Sequence, residues 1–498
     1  MDMMIKPLAF LSLLGFAASP TQARILHIGS GHAWTSPSSI QGNVVAGDTV
    51  LIHAGSYTGT YFISNLNGNA ASPILIKAAP GETVTLSGGS ESFHFSDISY
   101  VILEDLIIQG QTGNGMNIDD AGSFGTPSHH ILIRNCIFRN ISASGNNDLL
   151  KLSGVDDFEV RDCEFLNGSA GGSGIDMVGC HRGLFQGLQF DQMGSNCIQI
   201  KGGSSDITIR RNRFVNGGAR ALNIGGSTDL EFFRPQNATF EAASVEVYAN
   251  VFEGAQTPFA FVGAVDCKVY NNTIFRPTRW AMRILQETVD PGRFEACGRN
   301  TVQNNIFVIT TVVTTEVNIG PDTAPNTFIY SNNLWFKEGQ SGWSGPVLPV
   351  ADPAQLVANP QVNATNYMIG STSPAYQKGK AVSPPVTDYY GKNYKSPPSI
   401  GAVEFEGTLA LRPAQSKDKK QGQAARVKLS PNPAVSHLRV EAPETAIYGI
   451  VDVYGQSWMQ GVLQKGENRI GIHHLGAGAY YLVIQFRYYN LSRRWIKL

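Results

Sequence analysis

The chain is short of charge and of cysteine motifs. Charged residues make up only 15% of its 498 residues, and the formal net charge is -1. This balance gives no general attraction to nucleic acid or to an anionic membrane, so any polyanion-binding surface has to be local. The six cysteines show no CxxC spacing. Neither a zinc site of that type nor a redox pair is therefore indicated.

Long apolar runs are also rare, and the main one stands at the start. The first 23 residues, "MDMMIKPLAFLSLLGFAASPTQA", combine Lys6, an apolar run over 8–18 and small residues at the expected cleavage site. This combination predicts a Sec signal peptide over 1–23. No later segment approaches the roughly 18 uninterrupted apolar residues of a membrane span, so no transmembrane segment is expected. Export permits disulfides, and Cys267 with Cys297, which flank an insertion, is the preferred pair.

Glycine is abundant, with 53 residues, and an apolar pattern repeats along the chain. Nine pairs of apolar residues, each pair separated by five positions, recur along the chain, and each pair marks one repeat, here called a rung. The pairs are Leu103/Ile108, Ile133/Phe138, Val160/Phe165, Phe185/Phe190, Ile209/Phe214, Val247/Phe252, Val269/Ile274, Val302/Phe307 and Ile329/Leu334. Most rungs follow one another at intervals in the twenties. One coil of a three-sided parallel β-solenoid needs that length, whereas hairpins place turn signals every 8–12 residues or so.

Each rung is followed by a second alternating segment. The predicted inward pairs of this strand are Met116/Ile118, Leu150/Leu152, Ile175/Met177, Ile198/Ile200, Leu222/Ile224, Ala260/Val262, Met282/Ile284 and Val317/Ile319. A further column, three positions after the first apolar residue of the rungs, holds Cys136, Cys163, Asn212, Asn250, Asn272, Asn305 and Asn332. Stacked at about 4.8 Å, such asparagines can bond their own column and satisfy the backbone of the turn.

Three segments carry a family resemblance. "VVAGDTVLIHAGSYTGT" and "SPILIKAAPGETVTLSGG" resemble the first coils of polysaccharide lyases and related enzymes, and "VTDYYGKNYKSPPSIGAVEF" is similar to the closing segment of many secreted β-helix carbohydrate enzymes. Over residues 24–405 the chain resembles the right-handed parallel β-helix proteins of the pectate-lyase-like superfamily. The resemblance implies an all-β chain with a solenoid domain and a secreted, carbohydrate-active role.

The composition changes after Phe405. Residues 406–427 are polar and rich in Lys and Gln, which is typical of a linker, and 428–498 show short alternating strands that predict a small β-sandwich. The run Ser430 to Pro433, the Tyr454-Gly455 turn and "GAYYLVI" resemble the C-terminal sorting domain of type IX secretion cargo. The resemblance implies the outer-membrane secretion machinery as a partner and a location at the cell surface or outside the cell.

Outward residues of the second strand predict where a site lies, because a solenoid stacks them from coil to coil. The outward column is Asn117, Lys151, Asp176, Gln199, Asn223, Phe261, Arg283 and Asn318, with Asp119, Ser153 and Lys201 in a parallel column. Two long insertions, "STDLEFFRPQNATFEAA" and "QETVDPGRFEACGR", leave this strand at the same corner and are expected to form walls beside a groove.

The residue types of this groove suit β-elimination from a uronate glycan. That reaction needs a neutralised carboxylate, a base and an acid. Lys201 or Lys151 is the expected base, with a lowered pKa, and Arg220 with Arg283 is the expected carboxylate clamp. The expected substrate contacts are Gln199, Asn223, Arg234, Arg279, Phe261 and Trp280. Asp119 or Asp176 with Asn117 offers oxygen ligands for Ca²⁺; no organic cofactor is expected.

Other interpretations stay open at this point. A glycoside hydrolase needs two carboxyl groups about 5–9.5 Å apart, and the columns supply only Asp176 with Asp119 two coils away, unless Glu231 or Glu287 of the insertions folds inward. A non-catalytic glycan-binding scaffold is the third alternative. The calcium-ligand sets of known β-helix lyase families are not matched residue by residue. The sequence therefore favours a monomeric, exported polysaccharide lyase acting on an acidic glycan.

Overall fold

A computed structural model describes residues 23–405, 427–442, 446–452, 457–485 and 490–497. The predicted signal peptide, most of the linker and the Tyr454-Gly455 turn lie outside the described residues. Three long parallel sheets, here called A, B and C, wind around a common core, and together they confirm the predicted solenoid. No helix among the described residues is long and apolar enough to cross a bilayer.

Sheet A has fifteen strands. They are β1 Ile25–Ile28, β2 Thr49–Ile52, β5 Ile74–Ala78, β8 Ser99–Glu104, β11 Ser128–Arg134, β14 Val155–Arg161, β17 His181–Gln186, β20 Ser204–Ser205, β21 Thr208–Arg210, β24 Ala242–Ala243, β25 Glu246–Tyr248, β28 Ala264–Val265, β29 Lys268–Tyr270, β32 Thr301–Gln303 and β35 Ile329–Ser331. Three 3-10 helices interrupt the coils: Pro37–Ile40, Leu230–Phe232 and Pro325–Thr327.

Sheet B has twelve strands and sheet C has ten. Sheet B contains β3 Gly55–Thr58, β6 Val84–Ser87, β9 Leu106–Gln109, β12 Ile137–Arg139, β15 Glu164–Leu166, β18 Gln189–Asp191, β22 Arg213–Val215, β26 Val251–Glu253, β30 Thr273–Phe275, β33 Ile306–Thr310, β36 Leu334–Glu338 and β37 Leu356–Val357. Sheet C contains β4 Tyr61–Ser64, β7 Phe93–Ser96, β10 Met116–Asp119, β13 Leu150–Ser153, β16 Ser173–Val178, β19 Asn196–Lys201, β23 Arg220–Gly225, β27 Thr257–Val262, β31 Met282–Leu285 and β34 Val317–Ile319.

From β8 onward, the connection from a sheet A strand to the following sheet B strand contains one corner residue in the left-handed region. Asn135 and Asp162 hold this position with φ of 56° and 51°, and Asn304 and Asn332 hold it in the last coils with 55° each. Asparagine and aspartate tolerate the left-handed region better than most residues, because their short side chains bond the local backbone. This explains why polar residues stand between apolar rungs.

The core contains two ladders. Phe138, Phe165, Phe190, Phe214 and Phe252 stack in order with ring centroids 4.7–5.1 Å apart. The second ladder, here called the asparagine ladder, follows the left-handed corner residues. In it the backbone N–H of one asparagine donates to the side-chain oxygen of the asparagine in the next coil, at 2.9–3.1 Å. Its members are Asn212, Asn250, Asn272, Asn305 and Asn333. The predicted asparagine column is confirmed for Asn212, Asn250, Asn272 and Asn305.

Two details of the predicted register and the predicted disulfide are wrong. In the last coil Tyr330 and Trp335 point inward, and Asn333 is the ladder residue while Asn332 forms the corner. In β27, Phe259 and Phe261 point inward and Ala260 takes the outward position. All six cysteines are buried free thiols, so Cys267 and Cys297 do not form the expected pair.

The C-terminal region forms its own antiparallel β-sandwich, as predicted. One sheet consists of β38 Lys428–Ser430, β39 His437–Ala442 and β42 Gly466–Gly471, and the other of β40 Ala446–Asp452, β41 Ser457–Leu463, β43 Gly478–Gln485 and β44 Asn490–Lys497. Leu438, Ile450, Leu482 and Trp495 are fully buried in its core.

Candidate functional site

The outward face of sheet C carries one continuous column, here called the stripe. Strand register aligns its members from coil to coil: His94, Asn117, Lys151, Asp176, Gln199, Asn223, Ala260, Arg283 and Asn318. Arg220 reaches it from the start of β23, because its guanidinium donates to Asn223 Oδ1 at 3.0 Å. Arg220 and Arg283 therefore lie on the same side of the solenoid.

A cavity of about 900 Å³ opens beside the first half of the stripe. Its floor includes Asp119, Lys151 and Lys201 from sheet C, and its side includes Glu231 and Phe232 from the first long loop, residues 226–241. Phe232 is 56% exposed, so it offers an aromatic surface at the cavity edge. Predicted residues of both parallel columns thus meet at one cavity.

Two lysines that line this cavity, Lys151 and Lys201, lie against two buried carboxylates, Asp148 and Asp176, and the four side chains are here called the lysine cluster. The Lys151 ammonium pairs with Asp176 and lies 4.0 Å from Asp148, and Lys201 Nζ is 3.7 Å from Asp176 Oδ2. Asp176 is buried, and its Oδ1 has no hydrogen-bond partner among the described residues. An acceptor therefore remains free at the centre of the cluster.

The pKa values in the lysine cluster differ from the expectation. Burial alone would lower the pKa of Lys151, but the charges of Asp176 and Asp148 raise it. Lys151 is therefore a poor neutral base, contrary to the prediction. Burial, together with the charge of Asp176, raises the pKa of Asp148 to about 7, so this carboxyl exchanges a proton near neutrality.

Of the expected calcium ligands, Asn117 and Asp119 meet, because Asn117 Nδ2 donates to Asp119 Oδ2 at 3.2 Å, whereas Asp176 lies apart from them. Lys151 stands in register between Asn117 and Asp176, and its ammonium takes the place beside Asp176 that a cation would need. Asp119 is also held by His94 Nε2, at 2.7 Å, and by the Ser96 hydroxyl, which donates at 2.6 Å. The two lysines therefore occupy Asp176, while a Ca²⁺ site at Asp119 and Asn117 stays a prediction.

The second half of the stripe is a cluster of arginines around one tryptophan. The guanidinium carbons of Arg279 and Arg283 lie 3.9 and 4.4 Å from the ring centroid of Trp280. Burial and the nearby charges of Arg220 and Arg279 lower the pKa of Arg283, which shows that the cations crowd one another. Glu287 neutralises Arg220 at 2.6 Å. An anionic ligand would relieve the remaining repulsion.

Of the residues predicted to bind substrate, Phe261 is part of the core, and Arg234 lines the cavity but is engaged by the scaffold. Phe261 is fully buried in the core, because β27 is apolar in both alternating frames and the other frame faces outward. Arg234 is also buried: it pairs with Asp156 at 2.7 Å and donates to Gly179 O at 2.9 Å. A side chain at Gly179, whose φ is +61°, would come within 2.5 Å of the Arg234 Cβ. Arg234 thus fastens the first long loop to the solenoid.

The ion pair beneath that loop is strongly held. Burial alone would raise the pKa of Asp156, but hydrogen bonds from His181 and Arg234 lower it well below its usual range. His181 lies in this contact, with Nδ1 2.9 Å from Asp156 Oδ1, so it belongs to the packing beneath the loop.

The two long loops form one wall. Phe233 of the first loop packs on Phe294 of the second loop, residues 286–300, with ring centroids 5.1 Å apart. The buried Glu241 carboxylate accepts hydrogen bonds from Gly202 N at 2.8 Å and from the Thr228 hydroxyl at 2.7 Å. The wall is therefore tied to sheet C itself, next to Lys201.

Sequence reasoning missed three functional side chains. His94 extends the stripe by one coil and lies between Glu91 and Asp119, at 2.8 and 2.7 Å; the alternation of "FHF" one coil earlier is a signal that could have revealed it. Asp120 lines the cavity, and burial raises its pKa. Asp148 belongs to a loop before β13, where no periodic signal exists.

Two known family models match separate segments of the chain. Residues 91–274 match the family model of the right-handed beta helix region, and residues 428–497 match the model of the secretion system C-terminal sorting domain. The sorting domain marks the protein for type IX secretion, to the cell surface or the extracellular space. No curated protein sequence matches the chain.

Solved structures with a similar fold include polysaccharide lyases. Pectate lyase Pel9A is 14% identical over 77% of this chain and 96% of its own, with a TM-score of 0.50. An alginate lyase from Paenibacillus sp. str. FPU-7 is 16% identical over 68% and 98%, with a TM-score of 0.40. A PL6 family polysaccharide lyase from Pseudopedobacter saltans is 14% identical over 67% and 93%, with a TM-score of 0.43. At this identity the likeness to Pel9A concerns the fold alone.

Proposed function

We propose that the protein is an exported polysaccharide lyase that cleaves an acidic, uronate-containing glycan by β-elimination in the groove along sheet C. The observation that carries the proposal is the row of cations on one face: Lys151, Lys201, Arg220 and Arg283, beside a cavity of about 900 Å³. A uronate chain lying along the solenoid axis presents repeated carboxylates to cations that stand one or two coils apart, at about 4.8 Å per coil.

The cations have different roles in this proposal. Lys151 is held charged by two carboxylates, so it stabilises negative charge but does not accept the proton. Among the described residues Lys201 forms one ion pair, with Asp176, and that carboxylate lies closer to Lys151. Lys201 is therefore the base that removes the proton on the carbon next to the uronate carboxylate.

Charge develops on the carboxylate when that proton leaves. The ammonium of Lys151 stabilises it, and Arg220 with Arg283 binds the carboxylates of neighbouring sugars farther along the stripe. The bond to the leaving oxygen then breaks and a double bond forms in the sugar ring. Asp120, whose pKa burial raises, lines the same cavity and donates the proton that the leaving oxygen needs.

The test is a panel of uronate glycans incubated with the purified β-helix protein. Lyase action gives new absorbance from the unsaturated uronate together with new reducing ends. The Arg283→Ala variant should reduce apparent affinity for the responding glycan about tenfold, because a charge-assisted hydrogen bond contributes roughly 1.5–3 kcal/mol. Neutral glycans should bind the variant and the parent protein equally.

A glycoside hydrolase is the second candidate. The raised pKa of Asp120 is the property expected of a general acid, and Glu231 of the first long loop lines the same cavity. Reducing ends without new absorbance would establish hydrolysis and overturn the lyase proposal. Binding without either signal would identify a glycan-binding scaffold.

A further inference from the structure

Three histidines meet at the first coils of the solenoid, away from the stripe. His27 lies on β1, His53 directly follows β2, and His32 lies in the turn between them; their candidate ligand nitrogens all lie within 4.8 Å of one another. Strand pairing fixes two of them, because β1 and β2 are parallel neighbours and His53 N donates to Ile28 O at 2.8 Å. This group is here called the histidine triad.

The turn that carries His32 is built to approach His53. Gly29 N donates to Trp34 O at 2.8 Å and His32 N donates to Gly29 O at 3.2 Å, which closes the turn over the strand end. A Cβ at Gly29 would come within 2.8 Å of the His53 Cβ, so only glycine permits this approach. The rings of His32 and His53 stack with centroids 4.2 Å apart.

A carboxylate orients the triad. His53 Nδ1 lies 3.1 Å from Glu82 Oε1, and the other Glu82 oxygen accepts from Ala54 N at 2.6 Å. With the proton of His53 on Nδ1, its Nε2 presents a lone pair toward His27 Nδ1, which lies 2.9 Å away. A carboxylate behind one imidazole is the arrangement that orients histidine ligands at metal sites.

We propose that His27, His32 and His53 bind a zinc ion, with Glu82 orienting His53 and the fourth position open to water. Imidazole nitrogens suit borderline metals such as zinc, whereas Ca²⁺ and Mg²⁺ take oxygen ligands. His27 is exposed and the other two are half-buried, which leaves an entry path for the ion. The metal links the 29–34 turn to β1, the terminal strand of sheet A.

The test is zinc titration of the full exported chain after chelator treatment, followed by calorimetry and by measurement of bound metal. The parent protein should bind one zinc per chain, and zinc should raise its Tm. His32→Ala should weaken binding at least a hundredfold and abolish the zinc-dependent shift in Tm. Glu82→Ala should weaken binding about 10–100-fold, because it removes the orienting carboxylate.

His129→Ala is the matched control. His129 Nδ1 lies 2.8 Å from His130 Nδ1 on the same sheet, so this variant removes a histidine of a surface pair and leaves the triad intact. It should bind zinc like the parent protein. Equal zinc stoichiometry and affinity in His32→Ala and the parent, or no zinc bound by the parent, would overturn the proposal. If His32→Ala does not fold, His32→Gln provides the same comparison. Because the readout is metal content and Tm, the outcome does not depend on the glycan reaction.

Discussion

The asparagine ladder and the lysine cluster are both polar columns made by stacking coils, yet they are satisfied differently. In the ladder, Asn250 accepts from Asn212 N at 2.9 Å and donates to Asn272 Oδ1 at 3.0 Å, so identical residues satisfy one another. In the lysine cluster, Lys151 and Lys201 share Asp176, and one Asp176 oxygen is left without a partner among the described residues.

This difference separates a structural column from a functional one. Identical side chains that stack from coil to coil satisfy one another's hydrogen-bond donors and acceptors, so few donors or acceptors remain for a ligand. A column of unlike charges keeps donors and acceptors that a ligand can complete, at a cost in stability. Substitutions in the ladder should therefore change stability and spare activity, and substitutions in the cluster should do the reverse.

The largest effect is expected for the proposed base. Lys201→Met removes the proton acceptor but keeps most of the apolar stem, so we expect kcat to fall about 100- to 10,000-fold. The change in Tm should be small, because Lys201 makes only a 3.7 Å contact with Asp176. Kinetics on the responding glycan and thermal unfolding measure the two quantities.

Lys268→Met is the matched control for this variant. Lys268 lies on sheet A, is half-exposed and pairs with Glu246 at 3.1 Å. Its loss should leave kcat unchanged, since exposed ion pairs contribute little. An unchanged kcat in Lys201→Met would remove the lysine cluster from the catalytic mechanism.

A substitution in the ladder should produce the opposite pattern. Asn250 is fully buried, and Asn250→Ala leaves Asn212 N, Ile209 O and Tyr248 O without their side-chain partner. We expect the free energy of unfolding to fall by about 3 kcal/mol, since each buried unsatisfied group costs about 1–3 kcal/mol. Denaturant unfolding measures the loss, and kcat of the folded fraction should not change.

The exposed bond of Asn167 to Asn140, at 2.7 Å, supplies the control. Asn167→Ala should change the free energy of unfolding by less than about 0.5 kcal/mol. Similar losses at both positions would mean that the ladder is no more important than an ordinary surface contact.

The sequence predicts the repeating features of the fold well, because period two and coil length constrain them together. The inward pair Ile198 and Ile200 and the ladder up to Asn305 follow from that periodicity. Prediction from periodicity fails where two alternating sets of residues in one strand are equally apolar, so that either set could face inward. Phe259 and Phe261 compete with Ala260 and Val262 in β27, and Asn332 competes with its neighbour in the last coil.

The site is less predictable than the fold because its charges come from outside the repeat. Asp148 approaches Lys151 from a loop and adds to the larger effect of Asp176, and the two charges together raise the pKa of Lys151 against the expected direction. Arg234 is carried by a loop whose path no periodicity specifies, and it ends in a buried pair with Asp156. Register gives the column in which a residue stands, and loops decide which partner it meets.

The smallest expected effect is on the pH dependence of the free energy of unfolding, which reports on the charges in the lysine cluster. Burial raises the pKa of Asp148 from its usual value of 3.8 to about 7, so the folded state holds a proton that the unfolded chain releases between these values. The stabilisation is full below about pH 4 and is lost as pH rises through 7. Asp148→Asn removes this dependence but retains an acceptor for Ser173 N, which now bonds Asp148 Oδ1 at 2.7 Å.

The free energy of unfolding of the parent protein should therefore fall relative to Asp148→Asn between pH 4 and 7. We expect a difference of about 1 kcal/mol, because Lys151 and Asp176 respond to the same proton and absorb part of the change. Denaturant unfolding at several pH values measures it. Parallel pH profiles would show that Asp148 is already ionised in the folded state. The lysine cluster would then hold its two carboxylates as charged partners of Lys151 and Lys201, like a closed structural network.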